Sequence, residues 1–374
     1  MATFAVAYMR GIMGHRIIST LCDAINPFYW ITAARNRAFD RGWLKSHRFS
    51  VPTICIGNIT VGGTGKTPHT EYLVNLLKGS HCVAVLSRGY GRKSKGFIKA
   101  SSDSTMPMIG DEPFQIKKKF PDIIVAVDEK RADGIERLLG DKEPPSVILL
   151  DDAYQHRHVS AGLNILLIDS NRPLWNDSLM PFGRLRESAK GTERADIIIV
   201  TKCSADMPRN KQEEFKKRIG AKAGTPIFFS TVKYGAPYPI FPDRCQPLPQ
   251  IDKEHNILLL TGIAKPQPLK ERLAREAASV MLMQFSDHHN FTQGELENIA
   301  RRFKQMESLK RIIITTEKDA TRLVSRNDLP EDIAAYTYAL PIEIEFLNDE
   351  KNMFNQIIFD YVTENSRDSR ISQG

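Results

Sequence analysis

Residues 55–67 read Cys55-Ile56-Gly57-Asn58-Ile59-Thr60-Val61-Gly62-Gly63-Thr64-Gly65-Lys66-Thr67, a glycine-loosened turn that leaves a strand-like run and enters a helical one. Few folds accept such a turn. Glycines let backbone N–H groups point inward on an anion, and the helix that follows adds the favourable field of its N-terminus. In this pattern Thr60, Val61, Gly62, Gly63, Thr64 and Gly65 cradle phosphates. Lys66 reaches the β- and γ-phosphates of a nucleotide, and the Thr67 hydroxyl ligates Mg²⁺. The usual pattern starts with glycine where Thr60 stands; Gly62 and Gly63 supply the missing freedom.

A phosphate loop needs an acidic partner closing a second apolar strand. Val147-Ile148-Leu149-Leu150-Asp151-Asp152 has that form, and a carboxylate there would hold Mg²⁺ directly or through water. Guanine specificity would call for an Asn/Thr-Lys-x-Asp motif on a late strand. Thr201-Lys202-Cys203-Ser204 has Ser where the base-reading carboxylate belongs, so ATP is the expected nucleotide.

The surrounding pattern agrees. Short β-branched runs at 52–57, 82–86, 123–127, 147–150, 164–168 and 196–200 read as strands, with helical stretches at 67–79, 112–120 and 129–139. Apolar runs of this kind predict an α/β fold, a parallel sheet with helices on both faces. The Pro-rich passage 236–249 reads as an extended connection. Beyond it, strands at 257–261, 280–285 and 311–315 with helices at 266–276 and 293–307 predict a second, smaller α/β unit. The expected organisation is an N-terminal helical segment over 1–48, a phosphate-loop core over 49–235, the smaller unit over 236–345, and a C-terminal helix with a polar tail over 346–374.

The first segment is rich in apolar residues but broken by Arg10, His15, Arg16, Asp23, Arg35, Arg37 and Arg41, so no stretch approaches the ~20 residues that span a bilayer. Ile18, Leu21, Ile25 and Phe28 fall at helical spacing, and Asn26-Pro27 marks the start of a second helix. Phe28, Tyr29, Trp30 and Trp43 lie among basic residues, which suits a helix in the membrane interface. A helical hairpin packed on its own domain fits the same residues. The net charge of +8 calls for an anionic partner. No nucleic-acid module is recognisable, which leaves an anionic membrane surface or a phosphorylated substrate. Five scattered cysteines and no secretory signal point to the cytoplasm.

Further blocks follow in order: Asp40-Arg41-Gly42-Trp43-Leu44, Ser87-Arg88-Gly89-Tyr90-Gly91-Arg92, Gly110-Asp111-Glu112-Pro113, Asp151-Asp152-Ala153-Tyr154-Gln155-His156 and Gly183-Arg184-Leu185-Arg186-Glu187. After them come Thr261-Gly262-Ile263-Ala264-Lys265-Pro266, Phe285-Ser286-Asp287-His288-His289 and Thr316-Glu317-Lys318-Asp319-Ala320. With the phosphate loop, this series resembles the lipid A 4′-kinase family over most of the chain. Ala153-Tyr154 departs from the family's common Gly-Phe and leaves both carboxylates in place.

The resemblance implies transfer of the ATP γ-phosphoryl group to the 4′-hydroxyl of a tetraacylated glucosamine disaccharide 1-phosphate. It also implies work at the cytoplasmic face of the inner membrane, with the N-terminal helix bound there. By resemblance Asp111 is the base candidate, paired with His288; on residue chemistry alone Asp111 equally suits a helix N-cap. Arg186 is placed to neutralise transferring charge, Glu187 to join the metal shell with Thr67, Asp151 and Asp152, and Gln155 to lie near the nucleotide. The basic loop 87–95 either binds phosphate or is a solvated surface loop. A switch ATPase would use the same phosphate loop and carboxylates, but leaves Asp111 and His288 unexplained.

Overall fold

The computed structural model describes residues 26–371 except 246, 249, 264, 288, 307–309 and 327. The helix expected through Ile18, Leu21 and Ile25 therefore lies outside the described residues.

Six apolar runs form the centre of a nine-stranded sheet: β1 (Thr53–Gly57), β2 (Val83–Ser87), β4 (Ile124–Val127), β5 (Val147–Asp151), β6 (Leu163–Asp169) and β7 (Ile197–Thr201). All pair in parallel, each beginning or ending within two residues of the predicted run. Alternate residues feed two cores. Cys55, Ile148 and Leu150 enter one, while Ile54, Ile56, Val147 and Leu149 enter the other. That is the geometry of a strand buried on both faces.

The helices α1 (Pro27–Asp40), α2 (Lys66–Leu77), α3 (Met106–Ile109), α4 (Asp111–Lys119), α5 (Arg131–Leu139) and α6 (Arg209–Ile219) belong to this half. The strand order is β14-β8-β7-β6-β1-β5-β2-β4-β3, with β3 (Ile98–Lys99) antiparallel on one edge. Two strands that the pattern did not predict complete the other edge. They are β8 (Ile227–Tyr234) and β14 (Ile342–Phe346), paired antiparallel over five positions. The chain leaves the large sheet along β8 and returns along β14.

Between them lies a five-stranded sheet of order β11-β10-β12-β13-β9. Its strands are β10 (Asn256–Thr261), β11 (Ser279–Gln284), β12 (Arg311–Thr316), β13 (Thr337–Leu340) and β9 (Tyr238–Pro239), and its helices α7 (Gln267–Glu276), α8 (Gln293–Lys304), α9 (Glu317–Val324) and α10 (Glu331–Ala334). The Pro-rich passage contributes β9 at the sheet edge, where Pro239 costs no ladder bond, and then turns at 241–245, where Arg244 N and Cys245 N both donate to Phe241 O. The last helix, α11 (Lys351–Ile371), returns to the large sheet. It buries Phe354, Ile358 and Val362, and its Tyr361 hydroxyl donates to the Thr53 carbonyl at 3.0 Å.

Helix α1 packs one face on the large domain and leaves the other exposed. Asn26 caps it, accepting from Phe28 N at 3.0 Å, and Pro27 occupies the first turn. At about 100° per residue, Phe28, Thr32, Asn36 and Phe39 share the face packed on the large domain. Trp30, Ile31, Ala34 and Arg37 share the opposite, exposed face. No helix among the described residues is long and apolar enough to cross a membrane.

The two sheets are bolted together by α4 and α9. Lys119 Nζ lies 2.6 Å from Glu71 Oε2 and 2.8 Å from Glu317 Oε1. Gln115 donates to Glu71 at 2.8 Å, and the Tyr238 hydroxyl donates to Glu317 at 3.2 Å. Both carboxylates are buried, and burial pushes Glu71 above the usual carboxylate range. A buried carboxylate stripped of its cation is costly. Lys119→Met is therefore expected to lower the thermal midpoint by about 4 °C or more, since it leaves Glu71 and Glu317 facing each other. A midpoint within about 1 °C of the parent would show that this clamp contributes nothing.

Candidate active site

The phosphate loop begins where β1 ends. A Cβ at Gly57 would stand 2.6 Å from the Tyr154 Cβ, so only glycine lets the segment after β5 cross there. Asn58 is buried and donates across the loop to Thr64 Oγ1 at 2.7 Å. Gly62 and Gly65 take φ of +111° and +91°, the left-handed region where a side chain is strained. Lys66 opens α2 with no side chain capping it. Its first-turn N–H groups thus face outward as an anion site.

The outer half of the loop is braced by its neighbours. Val61 N donates to Arg184 O at 2.7 Å, and Arg186 N to Ile59 O at 2.8 Å. From the end of β7, Thr201 Oγ1 donates to Thr64 O at 2.8 Å, while Lys202 Nζ donates to Gly63 O and to Asp169 at 2.9 Å.

Beside the loop stands the end of β5. Asp151 is buried and accepts from Thr70 Oγ1 at 3.2 Å. Burial above all, then the charges of Glu112 and Asp152, push it up to about 7, against the pull of Lys66. Thr67 lies one turn before Thr70, hence on the same side of α2. Asp152 takes φ of +49°, and its carboxylate is bracketed by Lys66 Nζ at 3.6 Å and Arg186 Nη1 at 3.0 Å. An oxygen-rich corner of mutually repelling carboxylates fits a hard divalent cation. No group of three or more His, Cys, Asp or Glu that could hold a metal occurs among the described residues. A cation held here would complete its shell with phosphate and water, as Mg²⁺ beside a phosphate loop commonly does.

Arg131, at the start of α5, lies nearby. Its Nη1 donates to Asp128 O at 2.6 Å, and burial pulls its pKa down to about 10 while Asp151 and Asp152 resist. His156 is held down at about 4 by burial and then by Arg131, Arg88 and Arg35. It is neutral at physiological pH and ringed by cations.

Glu187, expected in the metal shell, is engaged by protein side chains. It is buried, and its two oxygens accept from Arg194 at 2.9 and 2.8 Å, Gln155 at 2.9 Å and Asn36 at 3.1 Å. Gln155 also donates to Asn58 O at 2.7 Å, which places it at the root of the phosphate loop. Arg35 donates to Gln155 O at 3.0 Å. Helix α1 is thereby stitched to the site wall.

Asp111 approaches from the far side. It is the first residue of α4, and the N-cap is Gly110, without a side-chain cap bond. The capping role is therefore not the one Asp111 plays. Two glycine turns interlock here: a Cβ at Gly110 would meet Tyr90 O at 2.7 Å, and one at Gly89 would meet Ile109 O at 2.7 Å. The Asp111 carboxylate pairs with Arg322 of α9, whose Nη1 donates to His289 O at 3.4 Å. His289 and Asp111 are thus held by one guanidinium. His288 itself lies outside the described residues. The His289 ring is engaged locally, with Nε2 at 2.9 Å from Glu295 and Nδ1 at 3.3 Å from Ser286. Arg322, Arg131, Arg194 and Asn36 were not singled out from sequence. Each is an ordinary polar residue of a helix or loop, and nothing in the local pattern marks it.

The sequence profile of the family described as tetraacyldisaccharide-1-P 4′-kinase matches residues 21–362. A Bacteroides fragilis protein named tetraacyldisaccharide 4′-kinase is 50% identical over 356 residues, covering 93% of this chain and 95% of its own length. One from Flavobacterium johnsoniae with the same name is 44% identical over 335 residues, 90% and 94% of the two chains. Among solved structures, the "apo" form of LpxK from Aquifex aeolicus in complex with ATP superposes with a TM-score of 0.70 at 27% identity, over 97% of this chain and all of that one.

Because Glu187 spends both oxygens on Arg194, Gln155 and Asn36, Glu187→Gln is expected to lower the thermal midpoint and leave the Mg²⁺ dependence of nucleotide binding unchanged. A shift of about tenfold or more in the Mg²⁺ requirement would put this carboxylate in the metal site after all.

Proposed function

The chain belongs to the tetraacyldisaccharide-1-P 4′-kinase family, and from that membership we propose that it phosphorylates the 4′-hydroxyl of a tetraacylated glucosamine disaccharide 1-phosphate with ATP, a step in lipid A biosynthesis. The observation that carries this reading is the meeting of three features. They are an uncapped phosphate loop, a pair of carboxylates beside its lysine, and a third carboxylate, Asp111, delivered from the opposite side. A switch ATPase needs the first two only.

The residues divide the work. Residues Thr60–Gly65 and Lys66 cradle the nucleotide phosphates, with Gln155 shaping the root of the loop. Thr67, Asp151 and Asp152 would hold Mg²⁺, which when bound neutralises phosphate charge and orients the transferred group. Arg186 faces the same corner and offsets charge that develops there. A sugar hydroxyl is a poor nucleophile, so a positioned proton acceptor is useful. Asp111, with His288, accepts the hydroxyl proton as the oxygen–phosphorus bond forms and the bond to ADP breaks.

The site of action we infer is the cytoplasmic face of the inner membrane. The exposed face of α1 supports it, since Trp30 and Ile31 are 60% and 66% exposed and share that face with Arg37. Apolar and basic residues together suit anionic headgroups. The other face of α1 is stitched to the site through Asn36 and Arg35, which would hold a lipid-borne hydroxyl close to the phosphate loop.

The test is transfer of labelled γ-phosphate from ATP to the disaccharide 1-phosphate lipid in detergent micelles, beside a control without lipid. A labelled bis-phosphorylated lipid is expected; phosphate released equally with and without lipid would favour the switch ATPase. In the same assay Asp111→Ala is expected to slow transfer by about 10²–10⁴-fold with ATP affinity retained. If that variant lost ATP binding as well, the base assignment would fail.

A further inference from the structure

Asp111 lies on a helix of the large sheet, and the loop carrying residues 287–289 follows β11 of the small one. Two side chains from different units can act together only if something sets their distance. The residue placed to do so is Arg322. Its side chain is 3% exposed, one guanidinium nitrogen pairs with the Asp111 carboxylate, and the other donates to the His289 carbonyl at 3.4 Å. A planar guanidinium holds two partners at a fixed separation, which a flexible ammonium does less well.

Its own seat is firm. Thr316 caps α9, accepting from Asp319 N at 3.2 Å, and Glu317 anchors that end to Lys119 at the other end of α4. Asp111 begins α4 and pairs near the end of α9, while Lys119 ends α4 and pairs at the start of α9. The helices run antiparallel, joined at both ends. One turn before Arg322, Lys318 holds Asp287 at 2.7 Å. The loop is therefore pinned by α9 at 287 and again at 289.

We infer that Arg322 is a positioning residue for phosphoryl transfer, holding the Asp111 carboxylate in register with the His289 backbone across the two sheets. This rests on the reading of Asp111 as the proton-accepting group. In this proposal Arg322 acts through Asp111. A reacting group displaced by about 1 Å costs on the order of 10²-fold in rate, so the loss should fall on kcat.

The experiment is a double-mutant cycle on the full chain, reading kcat for labelled phosphate transfer to the lipid, KM for ATP and the thermal midpoint. Arg322→Ala is expected to lower kcat by about 10²-fold with KM for ATP near the parental value. Arg322→Lys, which keeps the charge but only one contact, is expected to recover only a small part of that loss. In the Asp111→Ala background, Arg322→Ala is expected to change kcat little, because its partner is already gone. An equal fall of kcat in both backgrounds would overturn the proposal and assign Arg322 to stability alone. Parental kcat in Asp111→Ala by itself would instead overturn the assignment of Asp111, and the proposal with it. Should Arg322→Ala not fold, Arg322→Gln takes its place in the cycle and is read in the same way.

Discussion

Strands β1 and β5 lie side by side in parallel, with Ile56 opposite Asp151, and the rest of the site follows from that pairing. One strand ends in the phosphate loop and the other in two carboxylates, so loop and acid emerge from the same sheet edge. They are close enough for Lys66 to reach Asp152. The crossing is tight, and it is open only because Gly57 has no side chain to meet Tyr154. Parallel strands fully buried on both faces give this edge its rigidity. The strain of Asp152, at positive φ, is borne by that scaffold.

From this edge the charges spread in two directions. Toward α1 the chain of contacts runs from Asn58 through Gln155 to Glu187, Asn36 and Arg194. It is a polar wall beneath a helix whose other face is apolar and basic. Toward the small sheet it runs through α4 and α9, where two ion pairs join the units and set Asp111 beside the 287–289 loop. Contacts from the phosphate loop thus reach α1 on one hand, while α4, which Asp111 begins, joins the large sheet to the small one on the other. That suits an enzyme drawing one substrate from water and the other from a bilayer.

Much of this is written locally in the sequence. The central strands are continuous apolar runs, and the phosphate loop declares itself through glycines at positions the turn demands. Asp151 and Asp152 follow from the strand they end, and Asp111 from its block. Strands β8 and β14 escaped because their pairing joins residues more than a hundred positions apart, which no local pattern records. The Gly-Arg-Leu-Arg-Glu block suggests a metal role for Glu187 through the family resemblance, and says nothing of its protein partners. Only the fold shows Arg194 and Asn36 arriving to occupy it. Arg322 and Arg131 are invisible for the same reason: an arginine on a short helix reads as a solvated residue until tertiary packing buries it.

The central claim is that the carboxylates of β5 serve the metal and the transfer step, while the loop and Lys66 hold the nucleotide. The most direct test is calorimetric titration of ATP into Asp152→Asn, with EDTA and then with Mg²⁺. Removing the negative charge from between Lys66 and Arg186 should leave metal-free ATP binding as tight as in the parent or tighter, and abolish the gain that Mg²⁺ brings. Loss of metal-free ATP binding in this variant would contradict the account, for it would make Asp152 part of the nucleotide cradle itself.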